Sequence, residues 1–157
     1  MEIDNQFDRV RETLRIITGV PTPRLGQIKA VQSLVYDQAD TVLVAATGYG
    51  KSVVLYAFSA LAGKSTIQIV PLTKLGENQR DEIADKVPES RPVWIDGDTH
   101  LRNPGVWDEV RAGKHTHILL SPEQALHPKF KEVLRDPDFY DKVGLLAIDE
   151  LHCVGEW

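Results

Sequence analysis

Ala45-Ala46-Thr47-Gly48-Tyr49-Gly50-Lys51-Ser52 stands between a β-branched run and an apolar stretch at helical spacing, and its residue types suit a phosphate chain. Glycines let successive backbone N–H groups turn toward one point without a Cβ clash. Those groups, together with a helix N-terminus, make an anion site. The Lys51 ammonium can reach the outer phosphates, and the Ser52 hydroxyl can ligate the accompanying Mg²⁺. The general pattern is G-x-x-x-x-G-K-[ST], with Ala45 here in place of its first glycine. The competing reading is an ordinary glycine turn followed by a chance Lys-Ser. It loses ground to the position of the segment, after a strand-like run and before Val53, Val54, Leu55 and Phe58.

A second constellation lies near the end of the chain. Leu145-Leu-Ala-Ile148 reads as a buried strand that ends in Asp149-Glu150-Leu151-His152. An aspartate at such a strand end can hold Mg²⁺, commonly through water. A glutamate beside it can orient or deprotonate an attacking water. Two adjacent carboxylates near a metal-bound triphosphate suit hydrolysis rather than storage. Alone, the pair also fits an acidic turn that caps a strand; with the phosphate loop it points to nucleotide hydrolysis.

Both motifs need elements to carry them. Phe7, Val10, Leu14 and Ile17 place a helix over Asn5 to Ile17, and Gly19 with Pro21-Thr-Pro23 ends it. A second helix is expected over Arg24 to Tyr36. Strands are expected at Thr41–Ala45 (buried on both faces), Thr66–Val70, Val93–Ile95, His117–Leu120 and Val143–Ile148. Helices are expected between them at Lys51–Leu61, Thr73–Lys86, in part of Asn103–Lys114, and at Glu123–Leu134. This alternation predicts right-handed βαβ units and an α/β domain of three layers, a mainly parallel sheet covered on both faces. Ligands then bind beyond the carboxyl ends of the strands, where both motifs fall.

The 157 residues carry a net charge of −5, so no global basic balance announces a nucleic-acid partner, and any such claim rests on motifs. The single cysteine, Cys153, excludes an internal disulfide and fits a reducing compartment. No apolar run approaches the ~20 residues of a membrane helix. The last residues follow a strand with no closing helix, which reads as a piece of a longer protein.

Asp149-Glu-Leu-His152-Cys153-Val-Gly-Glu-Trp157 resembles the D-E-A-H-C-x-x-x-W stretch of RecQ-family DNA helicases of superfamily 2, with Leu151 in place of alanine. Other segments are similar in the family's order. Ala46-Thr-Gly-Tyr-Gly-Lys-Ser52 resembles motif I. Val70-Pro-Leu-Thr-Lys-Leu75 with Gln79 resembles the P-L-x-x-L segment and its following glutamine. Leu120-Ser-Pro-Glu123 resembles the [SA]-P-E motif, and Arg24-Leu-Gly-Gln27 the R-x-x-Q adenine motif. Pro23 departs from the aromatic that usually precedes that arginine.

The resemblance implies a RecA-like P-loop NTPase domain at 41–157, incomplete at its C-terminus, preceded by N-terminal helices at 1–40 that carry the adenine motif. It implies ATP and Mg²⁺ as cofactors. Gln27 would read adenine, with Arg24 close by, and Thr47, Gly48, Tyr49, Gly50, Lys51 and Ser52 would hold the phosphates. Ser52 and Asp149 would hold Mg²⁺, and Glu150 would activate water. His152 would couple the ATP site to DNA, and Trp157 would belong to a DNA-responsive loop. The implied partners are single-stranded or forked DNA and a second RecA-like domain, with no membrane. The implied setting is the nucleus, or the cytoplasm of a bacterium. A superfamily 2 RNA helicase fragment and a non-catalytic nucleotide-binding remnant are the alternatives. Cys153 and Trp157 argue against the first, and Lys51, Asp149 and Glu150 against the second.

His100, His115, His117 and His127 lack metal-ligand spacing. Asp96-Gly-Asp98 reads as a turn, Trp94 and Trp107 as core, and Lys129, Lys131 and Arg135 as a solvated helix face.

Overall fold

The computed structural model describes residues 2–46 and 48–150. The chain divides into two compact units, residues 1–63 and 64–157.

The first unit is helical. It comprises α1 (Glu2–Thr18), α2 (Leu25–Val35) and α3 (Lys51–Ala62), each packed on the other two. The helices bury their apolar faces: Val10, Leu14 and Ile17 on α1, with Phe7 half-buried, Ile28 and Val31 on α2, and Val54, Ala57 and Phe58 on α3. Gly63, with φ 63°, closes α3 in the left-handed conformation that glycine adopts freely at helix ends.

The segment before the phosphate loop departs from expectation. Thr41–Ala45 forms no strand, and Val42 and Val44 are 78% and 90% exposed instead of buried on both faces. β-branched residues favour extended backbone, but a strand exists only where a neighbour completes its hydrogen-bond ladder. Among the described residues this segment has no such ladder.

The second unit is the α/β layer structure. Its sheet comprises β1 (Ser65–Ile69), β2 (Pro92–Ile95), β3 (His117–Leu120) and β4 (Val143–Ile148), all parallel, in the order β2-β3-β1-β4. The helices are α4 (Thr73–Lys86), α5 (Gly97–Arg102), α6 (Val106–Arg111), α7 (Pro122–Ala125), α8 (Pro128–Arg135) and α9 (Pro137–Lys142). The register sorts the strand residues into faces. Ile67 lies beside Ile118, and Ile69 beside Leu120, which lies beside Ile95. From this face Ile67, Ile95, Ile118 and Leu120 join Val106, Trp107, Phe130, Val133 and Phe139 of α6, α8 and α9 in one core. The opposite face carries Trp94, Leu119 and Gln68 in one row and meets α4. Gly76 of α4 lies so close to the Trp94 ring that a Cβ there would collide with it. Trp94 and Trp107 are thus core residues, as expected.

Several boundaries are corrected. The single helix expected over Glu123–Leu134 is two, α7 and α8, because Pro128 has no N–H to continue a helix and instead starts one behind the His127 cap. Asp96-Gly-Asp98 opens a helix: the Asp96 carboxylate accepts from the Thr99 N–H at 2.8 Å as the cap of α5. α9 went unforeseen, although Asp136-Pro137 is a cap followed by proline at the first helical position. Finally, among the described residues β4 lies at the edge of the sheet rather than within it, with Leu146 60% exposed.

Candidate functional site

In the first unit, backbone geometry shapes the phosphate loop. Gly48 and Gly50 have φ of 80° and 89°, a region costly for residues with a Cβ. Gly50 is the N-cap of α3, so Lys51 and Ser52 fall in that helix's first turn, where free N–H groups and the helix dipole favour an anion. The exposed Lys51 side chain folds back over the loop, its Nζ donating to the Ala45 carbonyl oxygen at 3.0 Å. Its ammonium therefore lies over the loop entrance, held by a neutral acceptor that a phosphate can outcompete. The Tyr49 N–H donates to the Ala46 carbonyl at 3.1 Å.

Arg24 and Gln27 gather at the same loop. Gln27 Oε1 accepts from the Arg24 N–H at 2.9 Å, which starts α2. Gln27 Nε2 lies 3.1 Å from the Gly50 carbonyl oxygen and 3.3 Å from that of Tyr49. The Arg24 guanidinium stacks over the Tyr49 ring at 4.7 Å, a cation–π contact. In this arrangement Gln27 caps α2 and grips the loop at once, and its amide keeps one further acceptor lone pair on Oε1. Pro23, in the place of the family's aromatic, is buried.

In the second unit, Asp149 follows β4 directly, and its N–H donates to the Ile69 carbonyl oxygen at 3.0 Å, prolonging the parallel ladder by one residue. Its Oδ1 accepts from the Glu150 N–H at 2.9 Å, and Glu150 itself has φ 52°. Asp149 Oδ2 accepts from Gln79 Nε2 at 3.1 Å, and Gln79 Oε1 accepts from Gln68 Nε2 at 2.6 Å. Gln68 stood unremarked in the sequence, and Gln79 carried only a motif match. The available signal was a glutamine at an inward position of a parallel strand, where apolar residues are the rule.

Thr47, His152, Cys153 and Trp157 lie outside the described residues. The phosphate loop with Arg24 and Gln27 belongs to the first unit, and Asp149 with Glu150 to the second. Ser52 and Asp149 offer the hard oxygen donors that Mg²⁺ takes alongside phosphate oxygens and water. Among the described residues no group of three or more His, Cys, Asp or Glu could hold a metal unaided.

Of the discounted histidines, His117 is buried at the start of β3, and burial lowers its pKa to about 4. Lys129, Lys131 and Arg135 are exposed on α8, as expected.

A sequence model of the DEAD/DEAH box helicase family matches residues 24–157. The chain is 31% identical over 131 residues to the bifunctional 3'-5' exonuclease/ATP-dependent helicase WRN of Mus musculus, covering 83% of this chain and 9% of that protein. It is 34% identical over 121 residues to the ATP-dependent helicase wrn-1 of Caenorhabditis elegans, covering 75% and 11%. It is 29% identical over 145 residues to the ATP-dependent DNA helicase RecQ of Haemophilus influenzae, covering 92% and 22%. The chain therefore spans less than a quarter of the length of each of these relatives.

Proposed function

Because this chain belongs to the DEAD/DEAH box helicase family and is RecQ-like within it, we propose that it is the ATP-binding motor domain of a DNA helicase, coupling ATP hydrolysis to 3'-5' translocation and unwinding when joined to a second RecA-like domain. The observation that supports this most is the phosphate loop, whose two left-handed glycines lead into α3 while Lys51 Nζ leans back over the loop to Ala45. Left-handed glycines leading into a helix N-terminus, with a lysine in that helix's first turn, suit a polyphosphate.

The roles are those that the family resemblance implies, with the side-chain chemistry suited to each. Residues 41–157 form the motor domain proper, and residues 1–40 contribute the adenine motif. Gln27 accepts from the adenine amino group through Oε1 while its Nε2 holds the loop. Gly48, Tyr49 and Gly50, with Thr47, wrap the phosphates, and Lys51 exchanges the Ala45 carbonyl for a phosphate oxygen. Ser52 and Asp149 would hold Mg²⁺, which would supply charge neutralisation of the phosphates. Glu150 orients and deprotonates the attacking water. His152 and Trp157 pass the state of this site to bound DNA, single-stranded or forked. Such a protein works where DNA is, in a nucleus or a bacterial cytoplasm. Among the described residues no helix is long and apolar enough to cross a membrane.

ATP turnover measured with and without single-stranded DNA or RNA tests the reading. Stimulation by DNA over RNA is expected; stimulation by RNA alone would transfer the chain to RNA substrates. The isolated chain is expected to hydrolyse ATP poorly and not to unwind DNA, since the groups that complete hydrolysis come from the second domain. Robust unwinding by these 157 residues alone would sink the proposal.

A further inference from the structure

Asp149 is gripped by a line of side chains from three elements. Gln68 of β1 donates to Gln79 of α4, and Gln79 donates to Asp149 beyond β4. Gln68 is 3% exposed and Gln79 6%. The register explains how they meet: Gln68 lies in the row with Leu119 and Trp94, on the face that α4 covers. Gly76, one helical turn before Gln79, brings α4 down onto that row at Trp94. An amide in such a place is costly unless both its ends find partners, and packing alone would call for an aliphatic residue.

The line has a direction. The two ends of a glutamine amide match in shape and are opposite in hydrogen bonding. A carboxylate only accepts, so Gln79 must turn its N–H toward Asp149. Its oxygen then faces Gln68, which must turn its own N–H outward. Reversal of either amide would set oxygen against oxygen. With Oδ2 held by Gln79 and Oδ1 by the Glu150 N–H, the Asp149 carboxylate has one orientation, and each oxygen keeps a lone pair for a further ligand.

We propose that Gln79, itself oriented by Gln68, is a positioning residue that fixes the Asp149 carboxylate for a divalent cation; this rests on the reading of Asp149 as a cation ligand given above. Partners that orient a metal ligand set its affinity without touching the metal. The relay acts on the cation and leaves the phosphate loop's own hold on nucleotide unchanged.

Mn²⁺, observed by electron paramagnetic resonance on the protein saturated with a non-hydrolysable ATP analogue, provides the test. Asp149→Asn and Gln79→Met are each expected to weaken Mn²⁺ about tenfold or more, within the range found for partners of metal ligands. Gln68→Met is expected to cost less, because Gln79 keeps its donor but loses its orientation. Gln79→Glu, matched in size, is expected to fail like Gln79→Met, since it meets Asp149 with an oxygen. Metal-free affinity for the analogue is expected to stay within about twofold in the Gln79 and Gln68 variants; a merely structural role would lower it together with the melting temperature.

If Asp149→Asn weakens Mn²⁺ and Gln79→Met does not, the relay is wrong and the cation reading stands. If Asp149→Asn itself changes nothing, the cation reading falls. The unmodified protein gives an independent check should a variant not fold: the Gln79 side-chain amide resonances are expected to shift when Mg²⁺ joins the bound analogue, and their indifference overturns the proposal.

Discussion

Gln27 holds the carbonyl oxygen of Gly50 at 3.1 Å across 23 residues of sequence, so the helix that precedes the phosphate loop fixes the loop's last left-handed turn. Gln27→Leu removes that tie and leaves the Arg24 N–H without its acceptor. A hydrogen bond of this kind contributes about 1–1.5 kcal/mol, so ATP affinity is expected to fall by about tenfold. Calorimetric titration with ATP measures it, and unchanged affinity would separate Gln27 from the loop's function.

Lys51→Ala removes the only side-chain ammonium drawn over the loop by a bond to Ala45 among the described residues. Because the side chain is exposed, the melting temperature is expected to move by only a degree or two, while nucleotide binding is lost or weakened by more than tenfold. Unchanged nucleotide affinity contradicts the phosphate-loop assignment.

Gly76→Ala tests the seat of α4. The added Cβ meets the Trp94 ring, which is buried and cannot swing away, so overpacking of about 1–3 kcal/mol is expected. Thermal unfolding should show a clear drop in midpoint. A wild-type midpoint would mean that α4 does not lie where Gln79 needs it.

His117 predicts a pH dependence of stability. Burial depresses its folded-state pKa from 6.5 to about 4, so the native state resists the proton that the unfolded chain accepts. Its stability contribution is whole above pH 6.5, is lost as pH falls from 6.5 toward 4, and changes no further below that. The loss amounts to about 3 kcal/mol over that window. Urea unfolding at several pH values measures it, and His117→Leu is expected to flatten the slope there.

What the sequence determined by itself was whatever depends on short-range spacing. The period of Phe7, Val10, Leu14 and Ile17 located α1, the run His117–Leu120 located β3 to the residue, and the glycines before Lys51 located the left-handed turn that opens α3. Glycine dihedrals, helix periods and caps are local physics, and residues within one turn of each other carry them. The caps at Asp96 and at Asp136-Pro137 are local in the same way.

Only the tertiary structure decided what depends on a distant partner. Among the described residues Thr41–Ala45 has strand propensity but no ladder, and β4 is an edge with Leu146 exposed, because pairing is a property of two segments. The meeting of Gln68, Gln79 and Asp149 spans up to 81 positions, the difference between 68 and 149, and no spacing rule connects them. Strand register and the close approach of Gly76 to Trp94 bring them together, and both arise only when the sheet and α4 have packed.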